Sequence, residues 1–372
     1  NILTLEIKLM SQNTKYDLYC WACDFSPNRG EGILARHYIQ SLSKKKQKKI
    51  FIKSTHGTFS INKGLIKKLN TTSRNMTKLN LSFFENYLYP IYGIIYLWIN
   101  YFRKRGVCYL NFLPLWNTFL FILLPPNTHL GPITGFIYKK KVFNINSFFR
   151  KYISLILFKI NINILYNRQN VIYFSTDLLK PLIKKKFKNK FFFNYLLQLV
   201  NIRKYHSKKN IDFLIYNRNY SVKNNFLRNK LLKCLNELKL NIIVVGDYLS
   251  YSKIRNLGFV SRKKISSLLK KTKFIINSGE NPYNIFTIDA FNNNVNIIYE
   301  NIFFDKIKFF SKNKLLFLNF KNNKKNNIFF KNKKNFFVKP SSITKDYSAL
   351  KRENISYFNK VKINYTSKFN KI

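Results

Sequence analysis

The sequence predicts an α/β protein of two doubly wound, Rossmann-like domains facing across a cleft. Three observations predict it. Apolar runs of strand length alternate with runs at helical spacing, the βαβα order of an open parallel sheet. The strand-length runs, such as Tyr16 to Cys23 and Asn241 to Val245, are mostly apolar instead of alternating, as strands covered on both faces require. The chain has 372 residues, 46% of them hydrophobic, which is too long for one small core and suits two.

The elements follow in order. Tyr16 to Cys23 is the first strand, and Ser26 to Gly32 is a loop containing Gly30-Glu31-Gly32. Ile33 to Leu42 has helical spacing, Lys49 to Ile52 is a short strand, and Asn86 to Phe102 is a helix. Val107 to Leu113 is a strand and Trp116 to Leu124 a helix, followed by a Gly-Pro loop from His129 to Gly135. Phe148 to Leu165 is helical and Val171 to Phe174 a strand. Lysine clusters flank an apolar helix expected at Phe191 to Val200, and the domain boundary is placed near residue 205. The expected domains are therefore 1–205 and 206–372, the latter ending in a basic tail.

The second half alternates more clearly. Strands are expected at Asp212 to Tyr216, Asn241 to Val245, Leu257 to Val260, Lys273 to Asn277 and Val295 to Tyr299. Helices are expected at Phe226 to Leu238, Ser261 to Lys271 and Tyr283 to Phe291. Beyond Asn301 the chain is rich in Lys, Asn and Phe, and the pattern fades.

Lys and Arg number 67 against 15 Asp and Glu, a formal charge of +52. Such a surface favours anions, whether phosphorylated donors, nucleic acid or an anionic membrane face. The cations are spread along the chain, and Lys, Asn, Ile, Phe and Tyr are all specified by AT-rich codons, so charge alone identifies no function. Cys20 and Cys23 form a CxxC spacing with no second pair to complete a zinc site. In a strand they face opposite sides of the sheet, as buried structural thiols. The charged start of the chain does not read as a signal peptide. Asn86 to Phe102 and Gly106 to Tyr138 carry no charged side chain. They are interrupted by Asn, Pro and Gly, and read as buried or membrane-surface segments and not as spans.

Ligands of open α/β sheets bind beyond the carboxyl ends of the strands. After Tyr216 come Arg218 and Lys223, two cations leading into a helix, suited to a diphosphate. After Asn277 come Ser278, Gly279, Glu280, Asn281 and Tyr283, with Asp289 inside the next helix. The small residues admit a ligand to the backbone, helix amides bind oxygens, and a carboxylate accepts from a sugar or ribose diol. In the first half Gly30 and Gly32, and the loop of His129, Gly131, Thr134 and Gly135, would line the same cleft, with His129 a base or hydroxyl binder.

In this order, these segments resemble the family 4 (group 1) nucleotide-sugar glycosyltransferases, which have two Rossmann-like domains in the GT-B arrangement. The match is best from Asp212 to Tyr299. Arg218 and Lys223 fit that family's diphosphate-holding pair, Gly246 its turn after the second strand, and Phe259-Val260-Ser261 its segment near the donor base. Ser278 to Ala290 resembles its acidic donor motif, with Asp289 at the ribose carboxylate and Glu280 one position earlier than the family's first acid. Gly30-Glu31-Gly32 and Gly131 to Gly135 resemble its amino-terminal glycine loops.

The resemblance implies retaining sugar transfer from a nucleotide-diphosphate donor to a cell-surface glycan or lipid-linked acceptor, as in polysaccharide biosynthesis. Arg218, Lys223 and Glu280 would be catalytic, and Gly30, Gly32, Gly246, Ser278, Gly279, Asn281, Tyr283 and Asp289 would bind donor. His129, Gly131, Thr134 and Gly135 would lie on the acceptor side. No metal or cofactor is expected, and no Asp-x-Asp sequence occurs. The expected location is cytoplasmic, peripheral on the inner face of an anionic membrane, with no specific nucleic-acid partner. Two other classes compete: a basic nucleic-acid-binding protein without activity, and an integral membrane protein using residues 86–138.

Overall fold

The structure, a computed structural model, describes residues 16–27, 30–70, 82–111, 113–115, 117–134, 153–169, 172–174, 179–184, 187, 191–193, 209–218, 229–238, 240–277, 282, 284–301, 304, 315–320, 322 and 330–331. The expected boundary near residue 205 lies outside them.

The first half begins with strand β1 (Leu18–Ala22), buried at all five positions. Helix α1 (Gly30–Lys46) leads to β2 (Ile50–Ser54), and a hairpin of β3 (Gly57–Asn62) and β4 (Leu65–Asn70) follows. Helix α2 (Ser82–Phe102) then returns the chain to β5 (Val107–Tyr109). Next come β6 (Leu113–Pro114), the short helix α3 (Thr118–Leu123), β7 (His129–Leu130) and β8 (Ile133–Thr134). Helix α4 (Ser154–Arg168), β9 (Ile172–Phe174) and β10 (Phe191–Phe193) complete this half.

One sheet has the order β4-β3-β2-β1-β5-β7, parallel except for the β2-β3-β4 hairpin edge. A four-stranded parallel sheet, β10-β9-β8-β6, adjoins it. Gly131 and Pro132 carry the chain from one sheet to the other. One core cluster, with Trp21, Leu97, Leu124, Phe158, Ile172 and Phe174, spans both sheets, and a second, with Cys20, Tyr38, Ile52 and Cys108, covers the other face of the first.

Gly93 sets the docking of α2. A Cβ there would lie 2.1 Å from the Trp21 indole, so only glycine lets the helix approach β1 this closely. The buried side of α2 is thereby fixed at Gly93, Ile94, Leu97 and Asn100.

The second half comprises β11 (Ile211–Asn217), α5 (Asn229–Glu237), β12 (Ile242–Gly246), β13 (Ile254–Asn256) and α6 (Arg262–Lys270). It continues with β14 (Thr272–Ile276), α7 (Ile285–Asn292), β15 (Asn296–Glu300) and β16 (Leu315–Leu318). All six strands are parallel, in the order β13-β12-β11-β14-β15-β16. Counted from its own first strand this is 3-2-1-4-5-6, the doubly wound order. Apolar clusters cover both faces of the sheet, one around Leu214, Ile275 and Ile288 and the other around Phe213, Val244 and Leu235.

Five expectations are corrected. Gly30-Glu31-Gly32 is not loop but the first turn of α1, where the leading N–H groups need no helical partner and glycine is tolerated. The strand expected at Leu257 to Val260 forms earlier, at Ile254–Asn256, because Gly258 takes φ +65° and Ser261 caps α6. The start of the helix expected at Phe191 to Val200 is strand β10, as three consecutive phenylalanines favour. The strand expected over Val107 to Leu113 stops at Tyr109, and the His129 to Gly135 loop contains β7 and β8. The β3–β4 hairpin and β16 were not anticipated.

Cys20 and Cys23 do face opposite sides: Cys20 packs with Cys108 in one core cluster and Cys23 against the other. None of the four cysteines is in a disulfide, and burial pushes the thiol of Cys20 well above its ordinary pKa.

Candidate functional site

In the second half the strand order reverses between β11 and β14. The crevice at their carboxyl ends is where a doubly wound sheet holds a ligand. β11 ends at Asn217, which delivers Arg218 to that edge with its guanidinium 5.8 Å from the Tyr216 ring centre. β12 ends at Gly246, whose φ of +101° and backbone contact with Asn217 exclude a side chain: a Cβ would lie 2.1 Å from the Asn217 oxygen. The Asn217 amide donates to the Asp247 carbonyl and the Asp247 N–H to the Asn217 carbonyl, tying these two strand ends together. β14 leads to buried Asn277, whose amide donates to the Thr287 hydroxyl at 2.8 Å and so anchors α7 beneath the edge. Asn284 caps α7, its side chain accepting from the Thr287 N–H.

Asp289 lies on α7 and accepts from Arg262 at 2.9 and 3.3 Å. Arg262 opens α6, where the positive end of the helix dipole disfavours a cation, so Asp289 compensates it. Burial raises the Asp289 pKa from its ordinary value, and the hydrogen bond and charge of Arg262 oppose the rise. The other side of Arg262 reaches the first half of the chain: its Nη1 donates to His37 Nε2 at 3.2 Å. That bond needs a neutral imidazole, and His37 is pushed down to about 4 by burial and by Arg262.

The halves also meet at the start of α1. A Cβ at Gly30 would find open space except for Ile285 Cδ1 at 3.8 Å. Gly30 begins α1 and Ile285 begins α7, so two helix N-termini face one another. Two positive dipole ends brought together, near cationic Arg218 and Arg262, make a place suited to an anion.

The remaining sequence-predicted residues fall differently. Gly32 lies against the chain's own backbone: a Cβ would be 2.4 Å from the Ser26 oxygen and 2.5 Å from its nitrogen. Gly131 is likewise pressed on the carbonyls of Leu110 and Asn111. His129 is buried, its Nε2 2.7 Å from the Tyr38 hydroxyl and its ring stacked on Tyr38, and burial lowers it to about 4. Thr134 lies in β8. Lys223, Ser278, Gly279, Glu280, Asn281, Tyr283 and Gly135 lie outside the described residues. Among the described residues, no group of three or more His, Cys, Asp or Glu could hold a metal ion.

The structure adds Arg262, His37, Asn277 and Asn284 to the site, none of which the sequence reading selected. Arg262 could have been found from the scarcity of acids: a carboxylate on an apolar helix such as IFTIDAFN needs a cation, and Ser261 marks a helix start carrying one.

No protein-family model and no curated protein matches the chain in sequence. Solved structures do match it. Sucrose-phosphate synthase from Thermosynechococcus elongatus aligns with a TM-score of 0.61 at 9% identity, over 92% of this chain and 98% of that one. Anabaena HepE in complex with UDP aligns with a TM-score of 0.54 at 8% identity, over 92% and 98%. The same protein with UDP-glucose gives 0.51 at 10% identity, over 91% and 97%. At such identities the likeness is one of fold: the chain has the GT-B arrangement of two Rossmann-like domains.

Proposed function

We propose that this protein is a glycosyltransferase of the family 4 type. It moves a sugar from a nucleotide-diphosphate donor to a cell-surface glycan or lipid-linked acceptor, with retention and without a metal, as in polysaccharide biosynthesis. One observation carries the reading: the N-termini of α1 and α7 come together at the carboxyl edge of a 3-2-1-4-5-6 sheet, where Arg218 lies over Tyr216 and the Tyr216 ring packs on Phe286 of α7. A leaving diphosphate accumulates negative charge as the glycosidic bond breaks. Helix amides and guanidinium groups fixed in advance stabilise that charge without reorganising. The complexes of HepE with UDP and UDP-glucose, on the same fold, support this reading.

In this mechanism Arg218 and Lys223 hold the diphosphate, Gly30 gives it room at the backbone, and Gly246 lets β12 turn tightly against Asn217 beside it. Asp289, with Arg262 engaging both its oxygens, keeps lone pairs for a ribose diol. Glu280 reaches the transferred sugar, while Ser278, Gly279, Asn281 and Tyr283 line the donor loop. The acceptor enters from the first half. The protein works at the cytoplasmic face of an anionic membrane as a peripheral enzyme.

A thermal-shift screen against UDP-, GDP-, ADP- and CMP-sugars tests the reading. A donor at a hundredfold over its Kd stabilises the fold by about 2.7 kcal/mol. Asp289→Asn is expected to weaken the bare nucleotide as well as the donor, whereas Glu280→Gln spares the bare nucleotide and lowers transfer. No shift with any sugar nucleotide would sink the proposal.

A further inference from the structure

Three helices of the first half carry apolar side chains that the core does not use. Docking of α2 through Gly93, Ile94, Leu97 and Asn100 turns Leu88, Ile91, Ile95, Ile99 and Phe102 outward, at helical spacing along one side. Phe102 is 75% exposed. On α3, Leu120 and Phe121 face the core while Phe119, 81% exposed, Ile122 and Leu123 do not. On α4, Phe158, Ile162 and Leu165 are buried, and Ile156 and Ile160 are exposed.

The helices are joined to one another. The Trp98 indole on α2 donates to the Leu123 carbonyl at the end of α3, and Arg168 on α4 donates to the neighbouring Leu124 carbonyl. Exposed apolar side chains at this density mark a surface that is covered in use.

The charges around these helices select the cover. From Asn86 to Thr176, a stretch that includes α3, α4 and all the outward side chains of α2, the chain contains no Asp or Glu. The same stretch contains Arg103, Lys104, Arg105, Lys159 and Arg168. Arg103 and Lys104 are exposed next to Phe102, and Lys159 is exposed next to Ile160. Apolar rows edged by cations, with Glu85 in the first turn of α2 the one acid in the sequence of the three helices, fit a layer with an apolar interior and anionic headgroups. Among the described residues no helix is long and apolar enough to cross a membrane. The 21 residues of α2, about 31 Å long, offer a row that could lie along such a layer.

We propose that the outward sides of α2, α3 and α4 together form the face by which this protein docks on an anionic lipid bilayer. Phe102 and Phe119 enter the acyl boundary, and Arg103, Lys104 and Lys159 meet headgroup phosphates. The proposal rests on the peripheral placement given above and assigns it to one surface.

Co-sedimentation of the full chain tests it, with vesicles of equimolar phosphatidylglycerol and phosphatidylcholine and with vesicles of phosphatidylcholine alone. Binding is expected on the anionic vesicles and only partly released by high salt. Ile95→Asp, Phe102→Asp and Phe119→Asp should each lower the partition coefficient roughly tenfold. All three positions are solvent-facing, so the thermal transition should stay in place. Lys253→Glu with Lys271→Glu, on exposed positions of the second half, should leave binding nearly unchanged.

If the three Asp variants bind normally while the distant charge reversal abolishes binding, attachment is peripheral but this face is overturned. Failure of the unaltered chain to bind either vesicle overturns both the face and the peripheral placement. A concentration-dependent dimer dispersed by the same Asp variants, without vesicle binding, assigns the face to a second copy and overturns the lipid.

Discussion

The carboxyl edges of the two principal sheets occupy the same position in two similar folds, yet they are built differently. In the first half the crossover between β1 and β5 is closed by the chain itself. Asn111 accepts from the Asp24 N–H and donates to the Asp24 carbonyl, and Asp24 in turn accepts from the Ser26 N–H. Gly32 brings α1 against that loop, and His129 is taken up by Tyr38. In the second half the matching crossover presents Arg218, the start of α7 and the Arg262–Asp289 pair. Topology offers a ligand crevice twice; in the first half the chain's own hydrogen bonds fill it, and in the second they leave charged side chains at its rim. Substitutions at the first edge should therefore change stability, and those at the second should change binding and turnover.

The largest effect is expected from two neighbouring glycines. Gly32→Ala places a methyl group 2.4 Å from the Ser26 oxygen, a clash with backbone, and should destabilise the fold by about 3 kcal/mol. Gly30→Ala, two positions from it in the same turn, meets nothing nearer than 3.8 Å and should leave stability unchanged or raise it by up to about 1 kcal/mol. If the backbone at Gly30 receives a phosphate, this stable variant will show weakened donor binding. Urea unfolding and nucleotide titration of both proteins separate the two roles, and equal destabilisation would erase the distinction.

Arg218→Ala should reverse that pattern. Losing one preorganised cation from a developing diphosphate lowers turnover by about 3 kcal/mol, roughly a hundredfold or more, while the thermal transition barely moves. Near-normal turnover would remove Arg218 from the mechanism and weaken the contrast between the edges.

Acid should act on the first edge through His129. Its pKa falls from 6.5 to about 4 in the folded state because it is buried, so the unfolded chain takes up the proton first. Stability is complete above pH 6.5 and is lost as pH falls from there toward 4, by on the order of 3 kcal/mol at full extent. His129→Gln keeps a partner for the Tyr38 hydroxyl and should flatten the melting-temperature profile over this window. An unchanged slope would assign the acid sensitivity elsewhere, with His37 next in line.

Arg262→Ala should remove about 2 kcal/mol of stability by leaving Asp289 buried without its cation. It also breaks the link to His37, so the two halves should become more independent, seen as a broader thermal transition. Arg262→Lys, which keeps the charge but not the two-pronged geometry, should restore part of the stability. Full restoration would mean that geometry at this pair is unimportant.

Much of this architecture was legible in the sequence because a buried parallel strand has one pattern. Ile-Ile-Val-Val at 242–245 and Thr-Lys-Phe-Ile-Ile at 272–276 leave little choice. The hairpin was not legible because β4 is exposed at nearly every position and shows no apolar alternation, while its turn rests on Lys63 and Gly64, both at positive φ. At the site, Arg218 and Asp289 could be selected because they follow strand ends or stand out among few acids. His37 and Arg262 are 225 positions apart, and only the folded chain brings them together. Gly32 and Gly131 looked like ligand glycines because a sequence shows that a glycine permits close approach, but not what approaches.

The smallest effect sharpens the comparison most within the second half. Two helices there begin with a capping side chain: Asn284 accepts from the Thr287 N–H at 2.9 Å and Ser261 from the Lys264 N–H at 3.3 Å. Removing a cap leaves one helix amide without its partner and typically costs about 1 kcal/mol, so Asn284→Ala and Ser261→Ala should each lower stability by about that much. Their effects on ligand binding should differ. The start of α7 faces the start of α1, and fraying it moves the amides that would receive an anion. The start of α6 instead carries Arg262, whose guanidinium is held by Asp289 and His37 whether or not the cap is present. Asn284→Ala should therefore reduce the nucleotide-induced thermal shift severalfold, and Ser261→Ala should leave it nearly intact once the lower baseline is taken into account. Equal losses in the two variants would mean that the helix N-termini do not discriminate, and that the anion is held by side chains alone.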